Sequence, residues 1–161
     1  MLALACPARA ATSDFVRLHV VAADDAPSSQ SLKLRVRDAV LKASRELLST
    51  ADSADAAWRM LNENLSTLEI AALNCARDAG YGGPVRCVVG TFPFPHRFYG
   101  DVFVPAGDYR AVRVTLGAGM GRNWWCVLYP SLCDPEALQD DPVFYSAIWE
   151  WLKGWFGGDA P

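Results

Sequence analysis

The stretch Gly117-Ala-Gly-Met-Gly-Arg-Asn-Trp-Trp-Cys-Val-Leu-Tyr-Pro-Ser-Leu-Cys133 constrains the fold more than any other part of the chain. Its glycines stand at alternate positions, 117, 119 and 121, so the backbone can turn sharply there or let another segment come close. Trp124 and Trp125 follow. In an extended segment adjacent side chains point to opposite faces. One indole then enters the core and the other is left to solvent or a partner. Cys126 and Cys133 flank Pro130 with the spacing of a local bridge; two free thiols are the alternative. An oxidised pair would stabilise the fold by roughly 2–3 kcal/mol through lost chain entropy.

The remaining composition fits one folded domain. A chain of 161 residues buries roughly 70% of its unfolded surface and needs no metal to fold. With 52% hydrophobic and 20% charged residues it reads as globular rather than disordered. A formal net charge of −3 argues against a nucleic-acid module. The five cysteines contain no C-x-x-C pair, so neither a zinc site nor another cofactor is expected. Cys75 and Cys87 read as buried small hydrophobes. No apolar run is long enough for a bilayer-spanning helix. The first residues, through Ala8-Arg9-Ala10, resemble the end of an export signal that begins outside this chain.

Residues 15–21 alternate as a strand, with Val16, Leu18 and Val20 toward the core and His19 on a wetter face. Asp25 is the expected N-cap of a helix with Pro27 in its first turn. That helix runs to about Leu48 on the stripe Leu32, Val36, Ala39, Val40, Ala43 and Leu47. Lys33, Arg35 and Arg37 read as its solvated face. Ser53 can cap a second helix. Trp58, Leu61, Leu65, Leu68, Ala72, Cys75 and Ala79 recur at helical steps. The capping-box pattern Ser66-x-x-Glu69 divides this stripe near Asn64, and Gly80 closes it.

Val85, Cys87 and Val89 mark another strand, which Thr91-Phe-Pro-Phe-Pro95 is expected to break. At least one of Phe92 and Phe94 should plug the core. Residues 99–104 and 108–116 read as a hairpin about Pro105-Ala-Gly107, with one side of the second strand wet. The last strand falls at 125–128. After Cys133 come an acidic linker over 134–142 and an aromatic helix over 143–156, expected to dock on the domain.

The chain carries no G-x-S-x-G elbow, H-E-x-x-H or P-loop. Gly117-x-Gly-x-Gly121 runs from strand to strand without a helix N-terminus to hold phosphate, so it reads as a flexible connection or bulge. One catalytic set is conceivable: Cys126 as nucleophile, His96 or His19 as base and Asp101 as orienter, making a secreted cysteine-dependent hydrolase. The other reading is recognition, since Arg122-Asn123-Trp124 on a permissive loop has the residue types that anchor protein interfaces.

Gly119-x-Gly121-x-Asn123-Trp-Trp-Cys126-Val-Leu-Tyr-Pro-x-Leu-Cys133 resembles the signature of the stage II sporulation protein R family, secreted signalling proteins of endospore-forming bacteria. Leu32-Lys-Leu-Arg-Val-Arg-Asp-Ala-Val40, Phe92-Pro-Phe-Pro95 and Tyr99-Gly-Asp101 carry the same resemblance, from about Phe15 to Cys133. The resemblance implies a non-enzymatic protein made in the forespore and delivered to the space between forespore and mother-cell membranes. There it would activate a membrane-embedded, signal-transducing aspartic protease that processes the mother-cell sigma factor precursor. The expected contact surface is Gly119, Gly121, Arg122, Asn123, Trp124, Trp125, Phe92 and Phe94, held by a Cys126–Cys133 bridge. No nucleic-acid partner and no integral membrane segment are expected. The abbreviated leader, Ala23, Ala26 and the aromatic tail depart from the family pattern.

The expected fold is α+β: two layers, a mainly antiparallel sheet with two to three helices packed on one face. Its parts are a leader remnant or tail over 1–14, the domain over 15–133, and the linker with aromatic helix over 134–161.

Overall fold

The computed structural model describes residues 12–100 and 102–133. The leader through residue 11, Asp101, and the linker and aromatic helix from residue 134 lie outside the described residues. After a short 3-10 turn at Thr12–Asp14 come strand β1 (Val16–Val21) and helices α1 (Pro27–Leu47), α2 (Ala54–Glu63) and α3 (Leu65–Asp78). Strands β2 (Val85–Phe94), β3 (Arg97–Tyr99), β4 (Val102–Val104), β5 (Gly107–Leu116) and β6 (Asn123–Tyr129) follow. The main sheet has the order β2-β5-β1-β6. β1 runs parallel to β5 and antiparallel to β6, and β2 runs antiparallel to β5. Among the described residues the fold is therefore the expected α+β arrangement, with three helices and a mainly antiparallel sheet.

Val16, Leu18, Val20, Val112, Val114, Leu116 and Cys126 form the helix-facing core with Leu32, Val36, Val40, Leu61, Leu68 and Ala72. The helix boundaries follow local chemistry. Ser53 accepts from the Ala56 amide (3.2 Å) and starts α2. At the end of α3, Gly80 takes φ +77°. The Tyr81 amide there returns to Ala76 O and the Gly80 amide to Arg77 O, a Schellman closure.

Five expectations are corrected. α1 is capped at Ala26, not Asp25, because Asp24 Oδ1 takes the Ala26 amide (2.9 Å) and Asp25 is engaged elsewhere. Ser66 and Glu69 form no capping box. α3 begins at Leu65, and Glu69 Oε1 accepts from the Cys87 amide of β2 (3.2 Å). β2 continues through Pro93 because it is an edge strand, where one side of the backbone needs no partner. The hairpin about Pro105 does not form: β4 pairs with β3, while β5 fills the sheet between β2 and β1.

The fifth correction concerns burial. His19 is buried, as are Lys33 and Arg37 on α1. A second apolar cluster (Phe15, Phe94, Val104, Tyr109, Ala111 and Val127) covers the sheet face opposite the helices, so β1 has no wet side. Tyr109 and Ala111 of β5 are sealed by the same cluster.

Candidate recognition edge

The loop between β5 and β6 is fastened along its length. Gly117 and Gly119 take φ +55° and +64°, a region that L side chains rarely adopt. Met120 N donates to Ala23 O (3.1 Å) and Gly121 N to Ala22 O (2.9 Å). Arg122 N donates to Asp25 Oδ1 (2.8 Å). A Cβ on Gly121 would stand 2.6 Å from the carbonyl carbon of Asp24. The loop is thus pinned against the segment entering α1, not the flexible connection the glycines alone suggest.

Beyond the loop, β6 places Trp124 and Trp125 on opposite faces, as the alternation requires. Trp124 lies on the helix side, half-buried, with the Arg37 guanidinium 4.3 Å from its ring centroid. Lys33 Nζ donates to Gln30 Oε1 (2.7 Å) and Arg122 O (3.2 Å). Burial, with help from Arg122 and Arg37, pushes the Lys33 ammonium down to about 8. Trp125 lies on the other side, stacked on His19 with centroids 3.8 Å apart and 15° between planes. Phe94 meets Trp125 edge-on at 4.8 Å.

His19 is held at both ring nitrogens. Arg113 Nε–H donates to Nδ1 (3.1 Å), which makes Nδ1 the acceptor. Nε2–H then donates to Asn123 Oδ1 (2.7 Å). Burial drives the imidazole down to about 4, assisted by Arg113 and opposed by the Asn123 bond. Arg17, wholly buried beside it, donates from Nε to Cys126 O (2.8 Å) and from Nη2 to the Tyr99 hydroxyl (2.7 Å). That hydroxyl donates onward to Trp125 O (3.0 Å). The Arg17 guanidinium also lies over the Phe94 and Tyr109 rings.

Cys126 and Cys133 are joined as a disulfide, and Cys133 Sγ accepts from the Val127 amide (3.3 Å). Oxidised Cys126 has no thiolate to act as a nucleophile. His19 has both nitrogens occupied, and His96 stands exposed beside Phe103. The conceivable catalytic set is not assembled, and Asp101 lies outside the described residues. Cys87 is buried with its thiol pushed up to about 12 by burial, and Cys75 is half-buried.

The expected surface residues Gly119, Gly121, Arg122, Asn123, Trp124 and Trp125 therefore come together on one edge of the sheet. Phe92 is half-buried under the Arg113 guanidinium. Phe94 is buried and supports Trp125 from beneath. Sequence reasoning missed Arg17, Lys33, Arg37, Tyr99 and Arg113. Two polar side chains within an otherwise apolar strand, and two cations one helical turn apart beside Val36, were the available signals.

The family described as stage II sporulation protein R matches residues 12–139. Stage II sporulation protein R of Bacillus subtilis (strain 168) is 35% identical over 118 residues, covering 73% of this chain and 53% of that protein. The chain belongs to the stage II sporulation protein R family. It spans about half the length of the curated relative it matches. No solved structure matches it.

Proposed function

We propose that this chain is an extracytoplasmic sporulation signal. On this reading it activates a membrane-embedded aspartic protease, which then processes the mother-cell sigma factor precursor. It acts by contact rather than chemistry. The observation that carries the reading is the braced edge at Arg122-Asn123-Trp124-Trp125, within a chain whose family is a sporulation family. The Cys126–Cys133 disulfide supports an oxidising location between the forespore and mother-cell membranes. Among the described residues no helix is long and apolar enough to cross a membrane. The membrane-embedded component is on this reading the partner.

Activation by contact requires that the chain bind the active state of the protease better than the inactive one. Aromatic residues on a rigid support are suited to this, because little ordering is left to occur on binding. The test is co-expression with the protease and the sigma precursor. Wild type should trigger precursor cleavage, and Trp124→Ala should reduce it at least tenfold while a nonreducing gel still shows the disulfide. Cys126→Ser should also weaken it by loosening β6. Absence of cleavage with wild type, or full cleavage with Trp124→Ala, refutes the reading.

A further inference from the structure

The two edges of the main sheet differ. On β2 the Cys87 amide is taken by Glu69 of α3, and Pro93 has no amide to offer. Such features blunt an edge against added strands. On β6, Val127 N is taken by Cys133 Sγ and Trp125 O by the Tyr99 hydroxyl. Strand alternation fixes the rest. Ala22 N donates to Arg122 O (3.4 Å), continuing the β1–β6 ladder. Residues 122 and 124 therefore turn their backbone groups toward β1, and Asn123 and Trp125 turn theirs away. Among the described residues, the Asn123 N–H and C=O and the Trp125 N–H meet no hydrogen-bond partner.

Charge borders this open stretch. Lys33 and Arg37 stand one turn apart along the side of α1 that meets Arg122 and Trp124. Arg37 is paired with Asp38, and Arg122 with Asp25 at 3.5 Å. Lys33 donates to the neutral oxygens of Gln30 and Arg122. Asp25, already paired with Arg122, acts on it only from a distance, and no carboxylate among the described residues forms an ion pair with it. A cation held in that way favours an incoming acid.

We propose that the partner lays an extended, acid-bearing segment along β6 as a fifth strand, its backbone on Asn123 and Trp125 and its carboxylates toward the half-exposed Arg122, with the buried Lys33 and Arg37 adding positive charge behind it. The inference rests on the activator reading and names its mode of contact. Edge pairing takes affinity from main-chain bonds and specificity from the side chains on either side. Here one side is cationic and the other is the Trp125–His19 stack.

The experiment places photo-crosslinking benzoylphenylalanine in the full chain, either at Met120, 80% exposed beside the open stretch, or at Arg86 on the opposite edge. Each variant is co-expressed with the protease and the precursor. The expected result is a crosslink from position 120 to an Asp- or Glu-containing segment of the protease, with none from position 86. Asn123→Ala and Asn123→Pro are compared in the same assay, because only proline removes the outward amide. Asn123→Pro should process about fivefold less than Asn123→Ala, one backbone hydrogen bond's worth, with near-ultraviolet dichroism confirming the fold of both.

Crosslinks from position 86 and not 120 overturn the proposal, as does equal processing by the two Asn123 variants. So does a crosslink from position 120 only to residues 134–141 of the same chain, which would mean that its own acidic segment covers the edge. Failure of the unmodified chain to trigger processing refutes the activator reading instead. The edge is then judged on the segment crosslinked at position 120, and no acidic segment there overturns it.

Discussion

Replacing Gly121 with alanine isolates how the loop is held. Gly121 does not need a left-handed backbone; its constraint is the Asp24 carbonyl, which an added Cβ would overlap. Backbone on one side and the β6 ladder on the other leave no flexible side chain to yield. The loop must lift, and three bonds are at stake: Met120 N to Ala23 O, Gly121 N to Ala22 O and Arg122 N to Asp25 Oδ1. At about 1 kcal/mol net for each bond, losing two or three costs about 2–3 kcal/mol. For a domain of this size that lowers the melting temperature by roughly 6–12 °C.

Two other glycines calibrate the result. Gly80 has φ +77° with nothing within 4 Å of an added Cβ. Gly80→Ala should cost about 1 kcal/mol, from backbone conformation alone. Gly119, at φ +64° with Thr115 Cγ2 2.6 Å from the added atom, adds a contact that a side chain can relieve. Gly119→Ala should therefore fall between the two. Thermal and urea denaturation measure all three. If Gly121→Ala melts within about 2 °C of wild type, or above Gly80→Ala, the loop is not seated on Asp24.

Removing the Cys126–Cys133 bridge with paired serines should cost roughly 2–3 kcal/mol in urea denaturation, from the freed loop. No loss would show that the bridge does not form in solution. Ser53→Ala should cost about 1 kcal/mol by uncapping α2, read in the same assay. His19 sits at about 4 in the folded chain against an ordinary 6.5, so the unfolded chain binds more protons between those values. Stability then falls as pH drops from about 6.5 toward 4, and His19→Gln should flatten that part of the profile. An unchanged slope in His19→Gln would mean that the imidazole is not held neutral.

The apolar periodicities of α1 and of α2 with α3 were legible because single residue types at regular steps decide them. The cap at Ser53 and the opposed tryptophans follow from local geometry; the break at Asn64 falls at the expected place although the capping box that pointed to it does not form. What local geometry could not supply was the covering of the second sheet face. With β1 read as half-wet, His19 belonged in solvent; Phe94, Tyr99 and Val104 arrive from far along the chain and seal it. The same gap hid Lys33 and Arg37, whose burial depends on Trp124 and the Arg122 carbonyl lying beside α1. Pro93 misled because its effect depends on whether its strand is central or at an edge, which pairing alone decides. Asp25 misled because its partner, the Arg122 amide, is remote in sequence.

Arg17 shows why the covered face is polar at its centre. It is wholly buried and pairs with no carboxylate among the described residues, and desolvation lowers its pKa. Among the described residues its Nη1 has no hydrogen-bond partner. Apolar replacements of buried charges are often as stable or more so, so stability alone is a weak reason for an arginine here. Its bonds suggest another role. Arg17 to Tyr99 to Trp125 O, and Arg113 to His19 to Asn123, are two chains that end on adjacent outward-facing residues of β6. Each crosses from a different part of the fold, and hydrogen bonds fix direction where apolar packing fixes only distance. On the activator reading this is the useful property. A chain that works only through contact must present the same edge before and during binding, and one buried and one half-buried arginine hold that edge in register.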